Sequence, residues 1–449
     1  MKILLVSANT MKEPYPTYPI GLDYVLHAIS PPHQVQLADI NELPNEAALG
    51  DLLRRYLPDV VGISIRNIDN VDERRVQTFI GEIGRLIAII RRHSTGTVVL
   101  GGSGFSILPG EIMEALDADF GVVGEGERFP ALLEALERGA DVSHLSGIVA
   151  RGEPVVLPEP LTGPFPRGAF PHHSHTSYYL KRGGMLNLQT KRGCPFSCIY
   201  CVYPHIEGRK FRTVSPGEVA RTARMLQDGG AKYLYITDST FNGAYEHSRE
   251  VALAFRREGV SVPWGGFFTP TAAPPDYYKI LADAGLRHVE FGTESLSNPV
   301  LRRYRKPFVL ADVRASHRLA QAAGLHVAHY LLLGGPGEDE ETLKETLTQA
   351  DRLGNTVFFA YCGIRIYPYT ALCEMAVEEG RIEPGTNLLH PIFYWSPGLS
   401  REKGMALVED HGARRANWII GAGPPGMFKL MAKMYARGHV GPLWEHLIR

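Results

Sequence analysis

The feature that most constrains the fold is a rhythm: short apolar runs alternate with helical periodicity along nearly the whole chain. In the first third, apolar runs lie at 3–6, 35–38, 60–65, 97–100 and 120–123, and helical spacing fills 21–29, 47–56, 76–92, 111–116 and 127–138. From residue 186 a second series begins. Its strand patterns fall at 186–190, 233–237, 264–268, 288–292, 326–333 and 356–366, with helical ones at 216–228, 246–258, 275–284, 310–323 and 340–353. A short apolar run followed by an amphipathic helix is the repeating unit of a parallel sheet, whose strands need a crossover to return the chain to the same end. Two such series predict an α/β protein: first a doubly wound parallel sheet, then a six-unit strand–helix array.

Between the two series, residues 151–185 hold Pro154, Pro158, Pro160, Pro164, Pro166 and Pro171 and show little periodicity. That composition predicts an ordered linker. The expected division is a first domain at 1–145, a linker at 146–185, a second domain at 186–385 and a C-terminal region at 386–449. In the C-terminal region 417–420 and 427–437 read as helical. His172, His173 and His175 cluster in the linker. No acidic or thiol residue joins them locally, so a surface loop is expected there rather than a metal site.

The charges nearly cancel, with 47 Lys and Arg against 48 Asp and Glu. No basic stripe points to nucleic acid and no acidic block to a disordered tail. The first apolar run is too short for a signal peptide, and no segment approaches the roughly 20 apolar residues that span a bilayer. Three of the five cysteines sit together, which suits a reducing compartment better than a disulfide scaffold. These points lead to the expectation of a cytoplasmic protein with no membrane span and no nucleic-acid partner.

Those three are Cys194, Cys198 and Cys201, in Gly193-Cys194-Pro195-Phe196-Ser197-Cys198-Ile199-Tyr200-Cys201. Iron–sulfur cubanes ordinarily take four cysteines, so three on one loop would leave one iron open to an outside ligand. A zinc knuckle also clusters cysteines but closes with four Cys or His ligands, and no fourth stands within this loop. On spacing alone cluster, zinc and coincidence all remain open. A second stretch, Gly101-Gly102-Ser103-Gly104, follows a strand pattern and could cradle a phosphate through backbone amides, or merely end the strand. It lacks the spacing of a dinucleotide fingerprint.

The C-x3-C-x2-C spacing, Tyr200 before the third cysteine and the preceding glycine resemble the radical S-adenosylmethionine (SAM) superfamily. The first domain resembles the cobalamin-binding domain that precedes the barrel in one branch of it. The matching pieces are Pro19-Ile20-Gly21-Leu22, residues 59–64, Gly101 to Gly104, Pro109, and Gly124-Glu125-Gly126-Glu127. The resemblance implies a Rossmann-like cobalamin-binding domain, a partial (β/α)6 barrel and a small C-terminal region that shapes the substrate pocket. It implies a [4Fe-4S] cluster on Cys194, Cys198 and Cys201 and SAM on the open iron. Asp238 and Ser239, at the end of the second strand, would meet SAM, as would Glu294 and Ser295 at the fourth and Gly334 and Gly335 at the fifth. Lys306 falls in the Lys-Pro step typical of the family. Gly101, Gly102, Ser103, Gly104, Gly124 and Glu125 would hold the cobalamin tail. Many cobalamin domains ligate cobalt through a histidine after the first strand, and residues 7–19 contain none. Arg66 and Asn67 would then lie beneath the corrin, although Arg66 could equally pair with Asp69 or Asp72. Asp238 could instead cap a helix, and 334–337 could be a plain turn. Tyr361 and Tyr367 could face the barrel interior or fill a core.

The implied function is a cobalamin-dependent methyltransferase acting at an unactivated carbon after hydrogen abstraction by a 5′-deoxyadenosyl radical. A small-molecule or peptide substrate and a low-potential electron donor such as flavodoxin or ferredoxin would be its partners. A cyclase or rearrangement enzyme with the same cofactors, and a non-catalytic cobalamin or redox sensor, are the alternatives.

Overall fold

The computed structural model describes residues 1–12, 15–168, 176–424 and 426–448. The histidine cluster at 172, 173 and 175 lies outside them. The first sheet consists of β1 (Lys2–Ser7), β2 (Gln34–Asp39), β3 (Val60–Ser64), β4 (Thr97–Gly101), β5 (Phe120–Val122) and β6 (Ile148–Ala150). Its order is β2-β1-β3-β4-β5-β6, parallel except for the last pair. Ile3, Leu4, Leu5 and Val6 are all buried, the continuous apolar run demanded of a strand covered by helices on both faces. β6 extends this sheet past the expected limit at residue 145. Three residues are too few to carry a period.

The second half begins with β7 (Met185–Leu188) and a two-stranded hairpin, β8 (Lys191–Arg192) with β9 (Arg212–Thr213). β10 (Tyr233–Ile236), β11 (Trp264–Phe268), β12 (Leu286–Glu294), β13 (His326–Leu333) and β14 (Thr356–Cys362) follow, then a small hairpin of β15 (Ile364–Arg365) and β16 (Phe393–Tyr394), then β17 (Trp418–Ile420). The large sheet runs β17-β14-β13-β12-β11-β10-β7, with every pair parallel. It therefore has seven strands, one beyond the six expected. Residues 417–420, which read as helical, supply the seventh. A three-residue apolar run fits either period, and the open edge of β14 decides the matter by pairing Phe358, Phe359 and Ala360 with Trp418, Ile419 and Ile420.

Side chains alternate across these strands. Leu234, Ile236, Phe268, Val289, Phe291 and Val327 pack outward in one apolar cluster, and Leu331, Leu333, Phe358 and Ala360 in another. The residues between them, Tyr235, Phe267, Glu290, Tyr330, Phe359 and Tyr361, take the inward face. Tyr361 thus faces the barrel interior, whereas Tyr367 packs against the core of the first domain and under the Arg365 guanidinium, 4.8 Å from its ring centroid.

A buried ion pair ties Asp23 to Arg167 of the linker at 2.8 Å, and two more join the halves directly, Glu125 with Arg192 at 2.7 Å and Asp69 with Arg365 at 2.9 Å. This docking turns the carboxyl ends of the first sheet toward the cysteine loop.

Candidate cofactor and substrate site

The chain leaves β7 through Thr190 and enters the cysteine loop from β8. Backbone bonds fix the loop: Cys194 N donates to Gly208 O at 2.9 Å, Ile199 N to Tyr304 O at 3.3 Å, and Leu372 N to Ile199 O at 2.9 Å. Gly193 needs its glycine, since φ is +85° and a Cβ would strike the Lys210 carbonyl.

Beneath this loop lies Asp238, whose carboxylate is engaged by the chain itself. Its carboxylate accepts from Thr190 N at 2.7 Å, Thr190 Oγ1 at 2.5 Å, Lys191 N at 3.3 Å and Lys191 Nζ at 2.8 Å. Both residues of the pair are fully buried. Asp238 is a clamp that holds the start of the loop, with no acceptor left for a ligand. Lys191 Nζ also donates to Phe241 O at 2.7 Å. Ser239 works on the same loop, donating to Gly193 O at 2.9 Å and bonding the Cys194 thiol.

Burial pushes the Cys194 thiol up, and burial together with the Cys198 sulfur pushes Cys201 up to about 12. Cys194 and Cys201 therefore resist ionising without a positive partner. Among the described residues, no three Cys, His, Asp or Glu side chains are grouped to hold a single metal ion. Three thiols on one loop are a donor set that fits an iron–sulfur cubane.

Beside the thiols stands a second group. Glu294 Oε1 accepts from Tyr200 Oη at 2.7 Å and from Lys306 Nζ at 3.1 Å, and Lys306 also donates to Tyr200 Oη at 3.1 Å. Burial alone would lower the Lys306 pKa, but Glu294 and the Cys198 sulfur more than offset it, and the net shift is upward. Glu294 occupies the left-handed region at φ +62°, a strained conformation for a residue with a side chain. Ser295 is turned away: its hydroxyl pairs with Thr346 Oγ1 at 3.0 Å and accepts from Ser297 N at 3.1 Å, so it pins the following turn. Gly334 has φ +89°, and its amide donates to Glu338. Gly335 N donates to Tyr304 Oη at 3.1 Å.

The first domain presents Arg66 to the same space. Asp69 pairs with Arg365 and Asp72 accepts from Ala422 N, while the exposed Arg66 side chain donates to Asn67 Oδ1 at 3.1 Å. Surrounding protein lowers its pKa, and the tyrosines facing it electrostatically include Tyr203 and Tyr15. Tyr203, just after the third cysteine, keeps 41 % of its surface. Arg66, Ser103 and Tyr203 thus all keep exposed surface where the ends of β3 and β4 face the cysteine loop. Asn67 donates to Met11 Sδ at 2.7 Å, and Ser103 is exposed near Arg66, donating to its carbonyl at 3.4 Å.

The glycines behind it serve the chain itself. A Cβ on Gly102 would sit 2.5 Å from Ile65 O, and one on Gly104 2.7 Å from Arg66 O, whereas Gly101 has room at 3.7 Å. Gly124, at φ +79°, donates its amide to Ser106 Oγ at 2.8 Å. Glu125, expected along the cobalamin tail, is engaged by the chain itself. Its carboxylate is buried and saturated by Arg192 at 2.7 Å, Arg212 at 2.7 Å and Leu161 N at 2.7 Å.

A third group escaped the sequence reading. Glu290, inward on β12 and fully buried, accepts from Tyr235 Oη and Tyr330 Oη at 2.9 Å each and from Trp444 Nε1 at 3.0 Å. The available signal was a lone carboxylate in the apolar strand pattern 288–292.

A fold of this kind, with a three-thiol loop at the carboxyl end of a parallel barrel facing a doubly wound domain, defines an enzyme class. Residues 188–350 match the radical SAM superfamily and residues 7–133 the B12 binding domain. The chain belongs to the radical SAM enzymes that carry a B12-binding domain. It is 25 % identical over 401 residues to the tryptophan 2-C-methyltransferase of Streptomyces laurentii, covering 74 % of this chain and 67 % of that one. It is also 25 % identical over 466 residues to the cytidylyl-2-hydroxyethylphosphonate methyltransferase of Streptomyces wedmorensis, covering 86 % and 84 %. The fold matches the radical SAM methyltransferase TsrM of Kitasatospora setae, solved with cobalamin and a [4Fe-4S] cluster, at a TM-score of 0.85 over 99 % of this chain and 97 % of that one, with 22 % identity. No described helix is long and apolar enough to cross a membrane.

Proposed function

We propose that the protein is a cobalamin-dependent radical SAM methyltransferase that places a methyl group on an unactivated carbon of a small molecule. The observation that carries this reading is the meeting of two halves: Cys194, Cys198 and Cys201, with the Tyr200–Glu294–Lys306 group beside them, on the side that Arg66 of the first domain faces. When bound, the cluster, SAM and cobalamin supply one-electron cleavage of SAM and carriage of its methyl group.

The chain's own residues position and insulate. Cys194, Cys198 and Cys201 would hold the cluster. Lys306 and Tyr200 keep Glu294 oriented, and that carboxylate can accept two vicinal hydroxyls of a ribose. Gly334 and Gly335 let the backbone come close on the neighbouring strand end. Ser239 steadies Cys194, and Asp238 holds the root of the loop. Arg66 and Asn67 would meet the cobalamin, with Gly101, Ser103 and Gly124 along its edge. The reduced cysteine cluster supports a cytoplasmic setting and a low-potential electron donor. The relatives act on an indole amino acid and on a phosphonate nucleotide, so the substrate does not carry across the family.

The test is anaerobic, with cluster-reconstituted, cobalamin-loaded protein, SAM and a strong reductant, reading S-adenosylhomocysteine and 5′-deoxyadenosine by mass spectrometry. Both products are expected, and neither from Cys198→Ala. 5′-Deoxyadenosine alone would turn the reading toward rearrangement, and neither product would overturn it.

A further inference from the structure

The inward face of the barrel carries polar groups that the cofactor site does not use. Glu290 stands in the middle layer of that face with Tyr235 on β10, Phe267 on β11 and Tyr330 on β13. Phe267 sits edge-on to both phenols, with ring centroids 5.6 Å from Tyr235 and 5.8 Å from Tyr330. The Tyr330 ring is stacked on Phe359 at 4.7 Å, so its orientation is fixed. Tyr15, from the loop after β1, approaches Tyr235 at 6.1 Å. Although it points into the barrel, Phe267 keeps 37 % of its surface, so open space lies over it. Below, the barrel is shut. Trp444 donates to Glu290, Glu445 lies 3.2 Å from His288, and a Cβ on Gly265 would strike the Tyr233 hydroxyl.

The hydrogen bonds have a direction. Tyr235 and Tyr330 both give their protons to the same oxygen, Glu290 Oε2. The Tyr235 hydroxyl is also hydrogen-bonded to Tyr15, so it is the Tyr330 oxygen that is left with lone pairs only, and a group that meets it from the cavity must donate. The walls around them are flat rings, whose edge-to-face packing favours another ring over an aliphatic body. We propose that this layer is the floor of the substrate pocket and that it takes an aromatic ring bearing an N–H or O–H donor. Tyr330 receives that donor; Phe267 packs on the ring. Glu290 is a positioning residue that turns both phenols into acceptors. This assignment rests on the methyltransferase reading above, which supplies the reason for a substrate in the barrel.

The experiment is titration calorimetry on the cluster-loaded, cobalamin-bound protein with SAM present. The probes are tryptophan, tyrosine, phenylalanine and cyclohexylalanine. Tryptophan or tyrosine should bind more tightly than phenylalanine by roughly 3- to 10-fold, the worth of one hydrogen bond, and cyclohexylalanine should bind weakest. Tyr330→Phe should erase the preference for the donor while leaving phenylalanine affinity unchanged. Glu290→Gln, which keeps an acceptor for the phenols, should retain the preference, and Glu290→Leu should lose it. Should Glu290→Leu fail to fold by thermal melting, Tyr330→Phe and the probe order still decide. The proposal is overturned if no probe binds, if cyclohexylalanine matches tryptophan, or if Tyr330→Phe keeps the donor preference. S-adenosylhomocysteine formation, measured in parallel, separates the two claims. Its persistence alongside any of those outcomes strikes only the pocket assignment, and its absence strikes the methyltransferase reading.

Discussion

Lys306 shows how a buried charge at this site can be tested for purpose. It is the cation that faces both Glu294 and Tyr200. Removing one member of a buried pair strands the other, at about 3–5 kcal/mol, whereas replacing both by neutral groups is far milder. Lys306→Met is therefore expected to lower the melting temperature by several degrees, and adding Glu294→Gln should recover most of that loss. If Glu294 holds SAM, the double variant regains stability without regaining SAM affinity, which melting curves and equilibrium binding read separately. Glu338 offers a pH signature. It is fully buried, Oε1 has no partner, and burial pushes its pKa from 4.5 up to about 8. Between those values the folded state holds a proton that the unfolded state releases, so stability falls as pH rises, with no penalty below about 4.5 and the full one above about 8. Glu338→Gln should match the wild type in melts at pH 5 and become the more stable of the two by pH 9.

At the scale of elements, Glu125 ties the turn after β5 to the β8–β9 hairpin through Arg192 and Arg212. Arg192 keeps Glu127 at 2.8 Å and Arg212 keeps the carbonyls of Leu161 and Glu207, so Glu125→Ala is expected to cost about 1–3 kcal/mol, read by denaturant unfolding. Cobalamin affinity should stay within about tenfold of wild type, because the carboxylate has no free oxygen for that ligand. The first sheet was legible in sequence, since strands covered on two faces must be apolar throughout, as 3–6 and 120–123 are, and the second was legible from the repeated strand–helix alternation. The cysteine loop was legible because its spacing is chemical. Asp238, Ser295 and Glu125 were less so: a polar residue at a strand end reads the same whether it meets a ligand or its own backbone, and only tertiary placement decides. β6 and β17 were hidden by their brevity, each running three residues. Glu290 was hidden by something else. Its meaning depends on the register of β10, β12 and β13 together, which no single segment encodes.

Across the whole molecule, the active site exists only where the two halves meet, so their docking has to be stable before any cofactor chemistry. The interface is made of buried charges with saturated partners. Arg365 donates to Asp69 at 2.9 Å and to the carbonyls of Ile366 and Leu388 at 2.6 Å each, with both side chains of the pair almost fully buried. Asp39 accepts from Tyr179 at 2.6 Å, and Asp72 from Ala422 N at 2.9 Å. Apolar packing is continuous across the junction as well, since one core cluster joins Ile63, Phe79 and Ile112 to Ile199, Tyr304 and Leu372. A shared core and buried ion pairs couple the domains, so calorimetry should record one cooperative unfolding transition in the wild type. Asp69→Ala removes the partner of a buried guanidinium without touching either sheet. It is expected to uncouple the halves, splitting the trace into two transitions while far-ultraviolet circular dichroism stays native at low temperature. Cluster absorbance should survive in this variant, since Cys194, Cys198 and Cys201 share one loop of the barrel, while product formation from SAM should fall steeply as Arg66 moves away from the cysteine loop. A single transition with undiminished product would mean that the apolar junction alone holds the halves in register.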